Sequence, residues 1–362
     1  MSDIIGLSLS DSRYAGAGVD IDAKAAALAR ATEAIRSTFT TGVLGDVGGF
    51  GGLFRPDLSG YREPVLVAST DGVGTKLKVA VAANRHDTCG ADLVNHCVND
   101  ILVQGARPLF FLDYVAAGTI EPEVLQAVIE GVARGCRENG TALLGGETAE
   151  MPGFYASGDY DVAGTIVGIV EREMILDGSR VQAGDMALGL PSAGLHTNGY
   201  TLARKIFFEE LGKRPRDPMS ELGGQTVGDA LLAPHLSYLR ALEPLLAESL
   251  VHAMAHITGG GFYDNIPRVL PEGVDVTIRS GSWPVLPVFE VIESVGKVSF
   301  EEMHRVFNMG IGMVVFVPPE NLARAAKLFE TTGQRWYAIG AVEAGGGRKV
   351  FVQRPGDSVP SS

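Results

Sequence analysis

The chain is poor in cysteine, and it lacks long apolar runs. Its three cysteines (Cys89, Cys97 and Cys136) are odd in number and form no closely spaced pair among 362 residues. This argues against a disulfide framework and a zinc site, and it favours a reducing compartment. The chain also begins without a basic segment followed by an apolar one, and no apolar run is long enough to span a bilayer. We therefore expect a cytoplasmic protein without a membrane partner.

Positive charge is also scarce. The 30 Lys and Arg are outnumbered by 43 Asp and Glu, which gives a net charge of -13. An acidic chain without a basic cluster is a poor partner for nucleic acid. The phosphate-loop pattern GxxxxGK[ST] and the Rossmann glycine fingerprint are both missing. A nucleotide site must therefore be built from metal-bound carboxylates and glycine backbone.

Glycine, in contrast, is abundant. The 47 glycines fall in clusters that often end apolar runs, which is typical of loops that approach a ligand. Helical and strand-like segments alternate, and 362 residues are many for one core, so we predict two mixed α/β domains. A polar segment near residue 172 divides the chain into residues 1–172 (nucleotide binding and dimerisation), 173–345 (a second α/β domain) and 346–362 (a flexible tail). Residues 231–249 are predicted to form one helix.

A set of acidic residues follows predicted strands of the first half. Asp71 and Glu147 lie in glycine loops, and Asp100 ends the run CVND. Carboxylates at such positions favour a Mg²⁺–triphosphate platform, and Lys76 could neutralise phosphate charge. Each acid alone is also explained by turn formation, as is Asp113 within its strand. The backbone of this expected cofactor site is contributed by Gly72, Gly74, Thr75, Gly145 and Gly146.

A second polar loop, SAGLHTNGY, precedes a predicted helix in the second half. Such a loop presents free N–H groups to an anion, and His196 could bind a substrate phosphate or move a proton. A structural His196 is the alternative. With a second glycine loop, the expected substrate-binding residues are Ser192, Gly194, His196, Thr197, Asn198, Gly259, Gly260 and Gly261.

Three other features favour structural roles. His252 and His256 are four residues apart, but no HExxH pattern accompanies them, so we interpret their spacing as chance. His96 lies inside a predicted helix and is expected to be packed or capped. Cys97 is expected to be a buried apolar residue rather than a reactive thiol.

Several segments together resemble the phosphoribosylformylglycinamidine cyclo-ligase (AIR synthetase) family, and the resemblance extends from about residue 14 to 342. No single segment is specific, but their order and joint presence are. The segments are GVDIDA (18–23), REPVLVASTDGVGTK (62–76), CVNDILVQGARPLFFLDY (97–114), GGETAEMPG (145–153), DYDVAG (159–164), SAGLHTNGY (192–200), HITGGGFYDNIPRVLP (256–271) and FNMGIGM (307–313).

The resemblance implies an ATP-dependent ligase of purine biosynthesis that converts formylglycinamidine ribonucleotide (FGAM) into aminoimidazole ribonucleotide (AIR), with release of ADP and phosphate. It implies a homodimer joined through its N-terminal sheets, with ATP near that interface, and it leaves room for transient contact with the preceding pathway enzyme. Asp71, Asp100 and Glu147 would hold Mg²⁺ and ATP. Asp71, Lys76 and His196 would act in catalysis. Thiamine-monophosphate kinase, of similar architecture, is the alternative.

Overall fold

The structure is a computed structural model that describes residues 21–119 and 121–356. Within these residues the strands form two sheets, one of four strands and one of six. The first sheet lies within residues 64–171 and the second within residues 186–353. The predicted mixed α/β architecture is therefore confirmed. The first 20 residues, including the start of the GVDIDA segment, and the last six residues of the expected tail lie outside the described residues.

The first sheet has one face covered by helices and one face open. Its strands are β1 (Pro64–Gly72), β2 (Arg107–Ala117), β3 (Ala142–Glu150) and β4 (Tyr160–Glu171), in the order β1-β4-β2-β3. Only the β2–β3 pairing is parallel. Side chains of a strand alternate between the two faces. On β1, Ser69 and Asp71 therefore share the covered face, and Leu66 and Thr70 share the open one.

The helices of the first half pack on one another as well as on the sheet. They are α1 (Ile21–Arg36), α2 (Lys76–Ala83), α3 (Cys89–Leu102) and α4 (Pro122–Glu138). Thirteen of the fourteen residues of α3 are buried, because the second half of the chain covers the side that the sheet leaves free. Gly90 permits close packing of α3 on α4, since a Cβ there would lie 2.2 Å from the Val128 carbonyl oxygen.

The second half contains a fully apolar interior strand, β8 (Ile311–Val317). Its strands are β5 (Met186–Pro191), β6 (Ala253–His256), β7 (Val274–Arg279), β8 (Ile311–Val317), β9 (Tyr337–Ala344) and β10 (Val350–Gln353), in the order β10-β7-β9-β5-β8-β6. All seven residues of β8 are buried, which is typical of a strand covered on both faces. Its helices are α5 (Tyr200–Arg204), α6 (Val227–Leu231), α7 (Leu239–Ala247), α8 (Gly261–Asn265), α9 (Pro287–Gly296), α10 (Phe300–Val306) and α11 (Leu322–Thr332). No helix in the described part of the chain is both long and apolar enough to cross a membrane.

Two expectations about secondary structure were wrong. The helix predicted over residues 231–249 is broken into α6 and α7, with Pro234 in the loop between them. Proline removes a backbone hydrogen-bond donor and disfavours helical geometry at the preceding residue. These two effects outweighed the helical spacing of apolar residues in this segment. The tail is also not wholly flexible, because β10 pairs in parallel with β7 over four residues.

Candidate functional site

A polar cleft of about 430 Å³ lies between the two halves. One wall comes from the first half and includes Ser69 on β1 and Asp100 on α3. The other wall comes from the second half and includes His256, Thr258 and Arg268. A cleft of this size with converging polar groups is typical of a site for a small ligand.

Histidine and aspartate side chains meet around Asp100 and His256, which line this cleft. We call the group the His–Asp cluster; its members are Asp71, His96, Asp100, His235 and His256. His96 Nε2 lies 2.8 Å from Asp71 Oδ2 and 4.0 Å from Asp100 Oδ2. His256 Nδ1 lies 2.8 Å from Asp100 Oδ1. The two predicted carboxylates, Asp71 and Asp100, are therefore brought together around His96.

Local geometry explains why these side chains converge. His96 and Asp100 are four residues apart on α3, so they share one face of the helix. Ser69 and Asp71 are two residues apart on β1, so they share the sheet face against which α3 packs. Ser69 Oγ donates to Asp100 Oδ2 at 3.0 Å and holds that carboxylate at the cleft.

Burial and pairing shift the pKa values in the cluster. Burial acts to raise the pKa of Asp71, but the hydrogen bond and charge of His96 outweigh it and hold that pKa below its usual range. Burial acts to lower the pKa of His96, but its contacts with Asp71 raise it overall. Both shifts favour the charged forms of His96 and Asp71. Burial lowers the pKa of His256, which favours its neutral form.

The loop that carries His235 joins the cluster from the second half. His235 Nε2 lies 3.1 Å from His256 Nε2, and Asn99 of α3 donates to the same nitrogen at 3.2 Å. The backbone N–H of His235 donates to Asp92 of α3 at 2.7 Å. Contacts from α3 therefore fix this loop, which the sequence had placed inside a helix.

Lys76 does not occupy the position expected of a phosphate ligand. Its side chain is fully buried, and Nζ lies 2.7 Å from Asp92 Oδ2. Nζ also donates to the Ala233 carbonyl oxygen at 2.8 Å. A lysine enclosed in this way cannot reach a phosphate in the cleft, so this placement does not support its expected phosphate contact and catalytic role.

His196 is likewise enclosed. It is 1% exposed, and its ring stacks on His235 with the centroids 4.1 Å apart. Burial lowers the pKa of His196 well below its usual value, so the ring is neutral. This placement supports a packing role against His235 rather than the expected substrate contact or proton transfer.

Three further residues of the SAGLHTNGY loop, Ser192, Gly194 and Thr197, serve its internal structure. Ser192 Oγ lies 3.0 Å from both the Gly194 carbonyl oxygen and Asn308 Oδ1. Asn308 Nδ2 also donates to the Gly194 carbonyl at 2.9 Å. Thr197 is buried, and its hydroxyl lies 2.7 Å from His96 Nδ1. These three predicted substrate residues therefore hold the loop against its surroundings.

The remaining predicted substrate residues do come together beside the cleft. A Cβ on Gly259 would lie 3.1 Å from Asn198 Oδ1, so the two loops touch there. Gly260 and Gly261 both have positive φ, and a Cβ on Gly261 would lie 1.9 Å from the His304 carbonyl oxygen. Asn265 Nδ2 donates to the carbonyls of Gly259 and Gly261 and fixes this turn.

Glu147 is not brought to the other two predicted metal ligands. Asp71 pairs with Gly164 of β4, Gly164 with Asp113 of β2, and Asp113 with Gly146 of β3. Three strand spacings of about 4.8 Å place Gly146 roughly 14 Å from Asp71. Glu147 follows Gly146, so its side chain lies on the open face of the sheet, opposite Asp71.

The glycines expected in the cofactor site lie in surroundings that differ from one glycine to the next. A Cβ on Gly146 would lie 2.2 Å from Asp113 Oδ1, so this glycine admits the Asp113 side chain. Gly145 has ordinary space around it and lies on the same strand, away from the cleft. Gly72 donates its N–H to Asp71 Oδ1 at 2.7 Å. Gly74, with a φ of 67°, and Thr75 are exposed in the turn before α2.

Sequence reasoning missed three histidines of the cluster. His96 was expected to be packed or capped, and His256 was attributed to chance spacing. His235 fell inside a predicted helix. The i, i+4 spacing of His96 and Asp100 was a usable signal, but no sequence spacing could show that His235 and His256 meet them from the other half.

Comparison with known proteins places the chain in a class. Residues 59–170 match the family described as AIR synthase related protein, N-terminal domain, and residues 182–353 match the corresponding C-terminal domain. The two-sheet fold, with its cleft between the halves, is thus that of an AIR synthase related protein.

Individual relatives define the family more narrowly. The chain is 50% identical over 329 residues to the phosphoribosylformylglycinamidine cyclo-ligase of Bifidobacterium animalis subsp. lactis (strain AD011), covering 91% of this chain and 96% of that one. It is 51% identical over 334 residues to that of Geobacillus thermodenitrificans (strain NG80-2), covering 92% and 96%. The chain belongs to the phosphoribosylformylglycinamidine cyclo-ligase family and is a ligase of purine biosynthesis. The resemblance seen in the sequence is confirmed.

Solved structures with less similar sequences share the fold. Thiamine-monophosphate kinase from Stenotrophomonas maltophilia K279a has a TM-score of 0.66 at 17% identity, covering 90% of this chain and 96% of that one. The hydrogenase maturation protein HypE in complex with ATP has a TM-score of 0.61 at 19% identity, covering 90% and 91%. At such identities the likeness shows the fold alone, so it does not favour the kinase alternative.

Proposed function

We propose that the cleft between the two halves is where the chain uses ATP to convert FGAM into AIR. Family membership supports the reaction, and one structural neighbour is described as a complex with ATP. The observation that carries the proposal is the meeting of Asp71 and Asp100 around His96, across the cleft from Thr258 and Arg268.

The donor set fits Mg²⁺ held with a nucleotide. Mg²⁺ is usually bound by one or two carboxylates together with phosphates and water, and Asp71 and Asp100 would supply the carboxylates. Bound there, the ion would neutralise charge on the transferred phosphoryl group. The exposed backbone at Gly74 and Thr75 would hold the phosphates.

The second half would hold the substrate. The turn at Gly259–Gly261 and the side chain of Asn198 would orient the FGAM, and Arg268 would pair with its ribose phosphate. Phosphoryl transfer to the formamide oxygen turns a poor leaving group into a good one. The amidine nitrogen then attacks that carbon, phosphate leaves and the ring closes. Positioning by the two walls supplies much of the acceleration in such a reaction.

We also propose that the chain works as a homodimer joined through the open face of its first sheet. Leu66, Leu112 and Tyr114 share that face and are at least 36% exposed. Exposed apolar patches commonly mark protein–protein interfaces.

The three buried cysteines are free, which accords with a cytoplasmic location. Contact with the preceding pathway enzyme stays a prediction.

The test is a coupled assay for ADP and AIR with purified protein, Mg²⁺–ATP and FGAM. We expect one ADP per AIR, formed only when FGAM is present. Asp100→Asn should abolish most of this activity. Asp177→Asn is the matched control, because Asp177 lines the same cleft outside the His–Asp cluster. ADP formed equally with thiamine monophosphate, or an active Asp100→Asn variant, would refute the proposal.

A further inference from the structure

A basic pocket of about 470 Å³ lies at another junction of the two halves and shares no lining residue with the cleft. The chain just after α2 supplies Arg85 from the first half, and a loop of the second half supplies Arg214 and Arg216. We call this site the arginine pocket. No acidic side chain of the described residues lines it, although the whole chain has a net charge of -13. The pocket is therefore a local excess of positive charge in an acidic protein.

The positive charge of the arginine pocket is mostly uncompensated. Among the residues that the structure describes, the side chains of Arg214 and Arg216 have no carboxylate partner. The carboxylate of Asp217 is adjacent in the chain, but its Oδ2 accepts from the backbone N–H of Arg214 at 2.7 Å. Arg85 Nη1 does lie 2.5 Å from Asp229 Oδ1, in a pair that is about half exposed. A concave site lined by charges of one sign concentrates the field and attracts ions of the opposite sign.

Backbone hydrogen bonds fix the arginine-bearing loop. The N–H of Gly228 donates to the Pro215 carbonyl at 2.7 Å, and the N–H of Val227 donates to the Asp217 carbonyl at 3.0 Å. A Cβ on Gly228 would lie 2.9 Å from the Pro215 carbonyl oxygen, so glycine permits this close approach. A loop held in this way needs little ordering when a ligand binds, and this favours affinity.

We propose that the arginine pocket binds a small multivalent anion of the phosphate class, with a diphosphate group as the expected ligand. A guanidinium group presents planar pairs of N–H donors that match phosphate oxygens, and such charge-assisted hydrogen bonds are among the strongest in proteins. The volume is within the range of about 300–1,000 Å³ that is typical of small-molecule sites. The concave shape therefore favours a small ligand over an extended segment of a partner protein.

An anion in the arginine pocket would connect the two halves of the chain. Arg85 belongs to the first half, whereas Arg214 and Arg216 belong to the second. The pair of Arg85 and Asp229 already crosses this junction. A ligand that binds only the folded arrangement stabilises it, so diphosphate should raise the melting temperature. This site goes beyond the proposed function, and its test uses neither ATP nor FGAM, so either proposal can fail without the other.

The experiment titrates the purified protein with inorganic diphosphate by calorimetry, in metal-free buffer of constant ionic strength. Without Mg²⁺ the proposed nucleotide site is incomplete. We expect one equivalent of diphosphate to bind per chain. Arg214→Gln/Arg216→Gln should weaken binding by about 100-fold, because each charge-assisted hydrogen bond contributes roughly a factor of ten or more. Diphosphate should raise the melting temperature of the wild type but not of this double variant.

Two controls locate the binding. Lys327→Gln/Arg335→Gln removes the same two charges from other exposed positions of the second half and should bind diphosphate like the wild type. Arg268→Gln removes an arginine of the cleft and should also bind normally. Absence of diphosphate binding by the wild type, or equal weakening in either control, would overturn the proposal. Binding of an oligoglutamate peptide without binding of diphosphate would also overturn it, in favour of a protein partner.

Discussion

The ammonium group of Lys76 lies 2.7 Å from a carboxylate oxygen of Asp92, and neither side chain is accessible to solvent. Each partner also reaches across to the second half of the chain. Lys76 donates to the Ala233 carbonyl, and Asp92 accepts from the His235 N–H. This buried pair therefore holds the loop of His235 against α3 and sets one side of the His–Asp cluster.

Replacing Lys76 alone should destabilise the protein strongly. Lys76→Met leaves the Asp92 charge buried without its partner, so the free energy of unfolding should fall by about 3–5 kcal/mol. The double variant Lys76→Met/Asp92→Leu should lose less, because it leaves no unpaired charge. Arg324→Met breaks an exposed pair with Glu248 and should lower the free energy of unfolding far less, because solvent screens that pair. Urea denaturation measures all three; equal losses for Lys76→Met and Arg324→Met would contradict the buried pairing.

Asp71 and Glu147 should differ in their effect on ATP use. Asp71→Asn removes a carboxylate from the cluster and should slow turnover at limiting ATP by at least about tenfold, with little change in melting temperature. Glu147→Gln alters the open sheet face and should have a much smaller kinetic effect. Initial rates over a range of Mg²⁺–ATP concentrations separate the two. An equally damaging Glu147→Gln would show that Glu147 reaches the nucleotide after all.

Asp113 should make stability depend on pH. Burial raises the pKa of Asp113 to about 7, whereas an unfolded aspartate has a pKa of about 3.9. The folded state therefore binds the Asp113 proton more tightly than the unfolded state does. The contribution of Asp113 to the free energy of unfolding is fully present below about pH 4 and is lost as the pH rises to about 7. Asp113→Asn cannot ionise, so it should be more stable than the wild type above pH 7, by up to about 4 kcal/mol.

The measurement for Asp113 is urea denaturation between pH 4 and pH 8. The advantage of Asp113→Asn should shrink toward pH 4, where the wild-type carboxyl is protonated. Asp177→Asn, at an exposed acid, serves as the control. A difference between Asp113→Asn and the wild type that does not vary with pH would contradict the raised pKa.

Charge on the open sheet face should separate the proposed dimer. Leu112→Asp places a carboxylate in the middle of that face, where burial in an interface would leave it unpaired. Sedimentation should show a monomer for this variant and a dimer for the wild type. Val295→Asp changes a similarly exposed apolar residue of α9 and should leave the dimer intact. A wild-type monomer at micromolar concentration that is still active would refute the dimer proposal.

The sequence alone determined the fold class and the family. Alternating apolar segments and glycine-rich turns gave the mixed α/β arrangement, because local periodicity reports which face of each element is buried. The same local information placed Asp71 directly after a strand and Asp100 on a helix. The family segments are specific in their order, and order is itself a property of the sequence.

Tertiary structure decided which of the predicted site residues meet. The order of strands in the first sheet separates Glu147 from Asp71, and that order cannot be read from spacing along the chain. Packing of the two halves buries Lys76 and His196 and brings His235 and His256 to His96. His96 and His256, whose rings are neighbours, are 160 positions apart in the sequence. Each of these contacts depends on how separately formed elements pack, and no local pattern in the sequence records it.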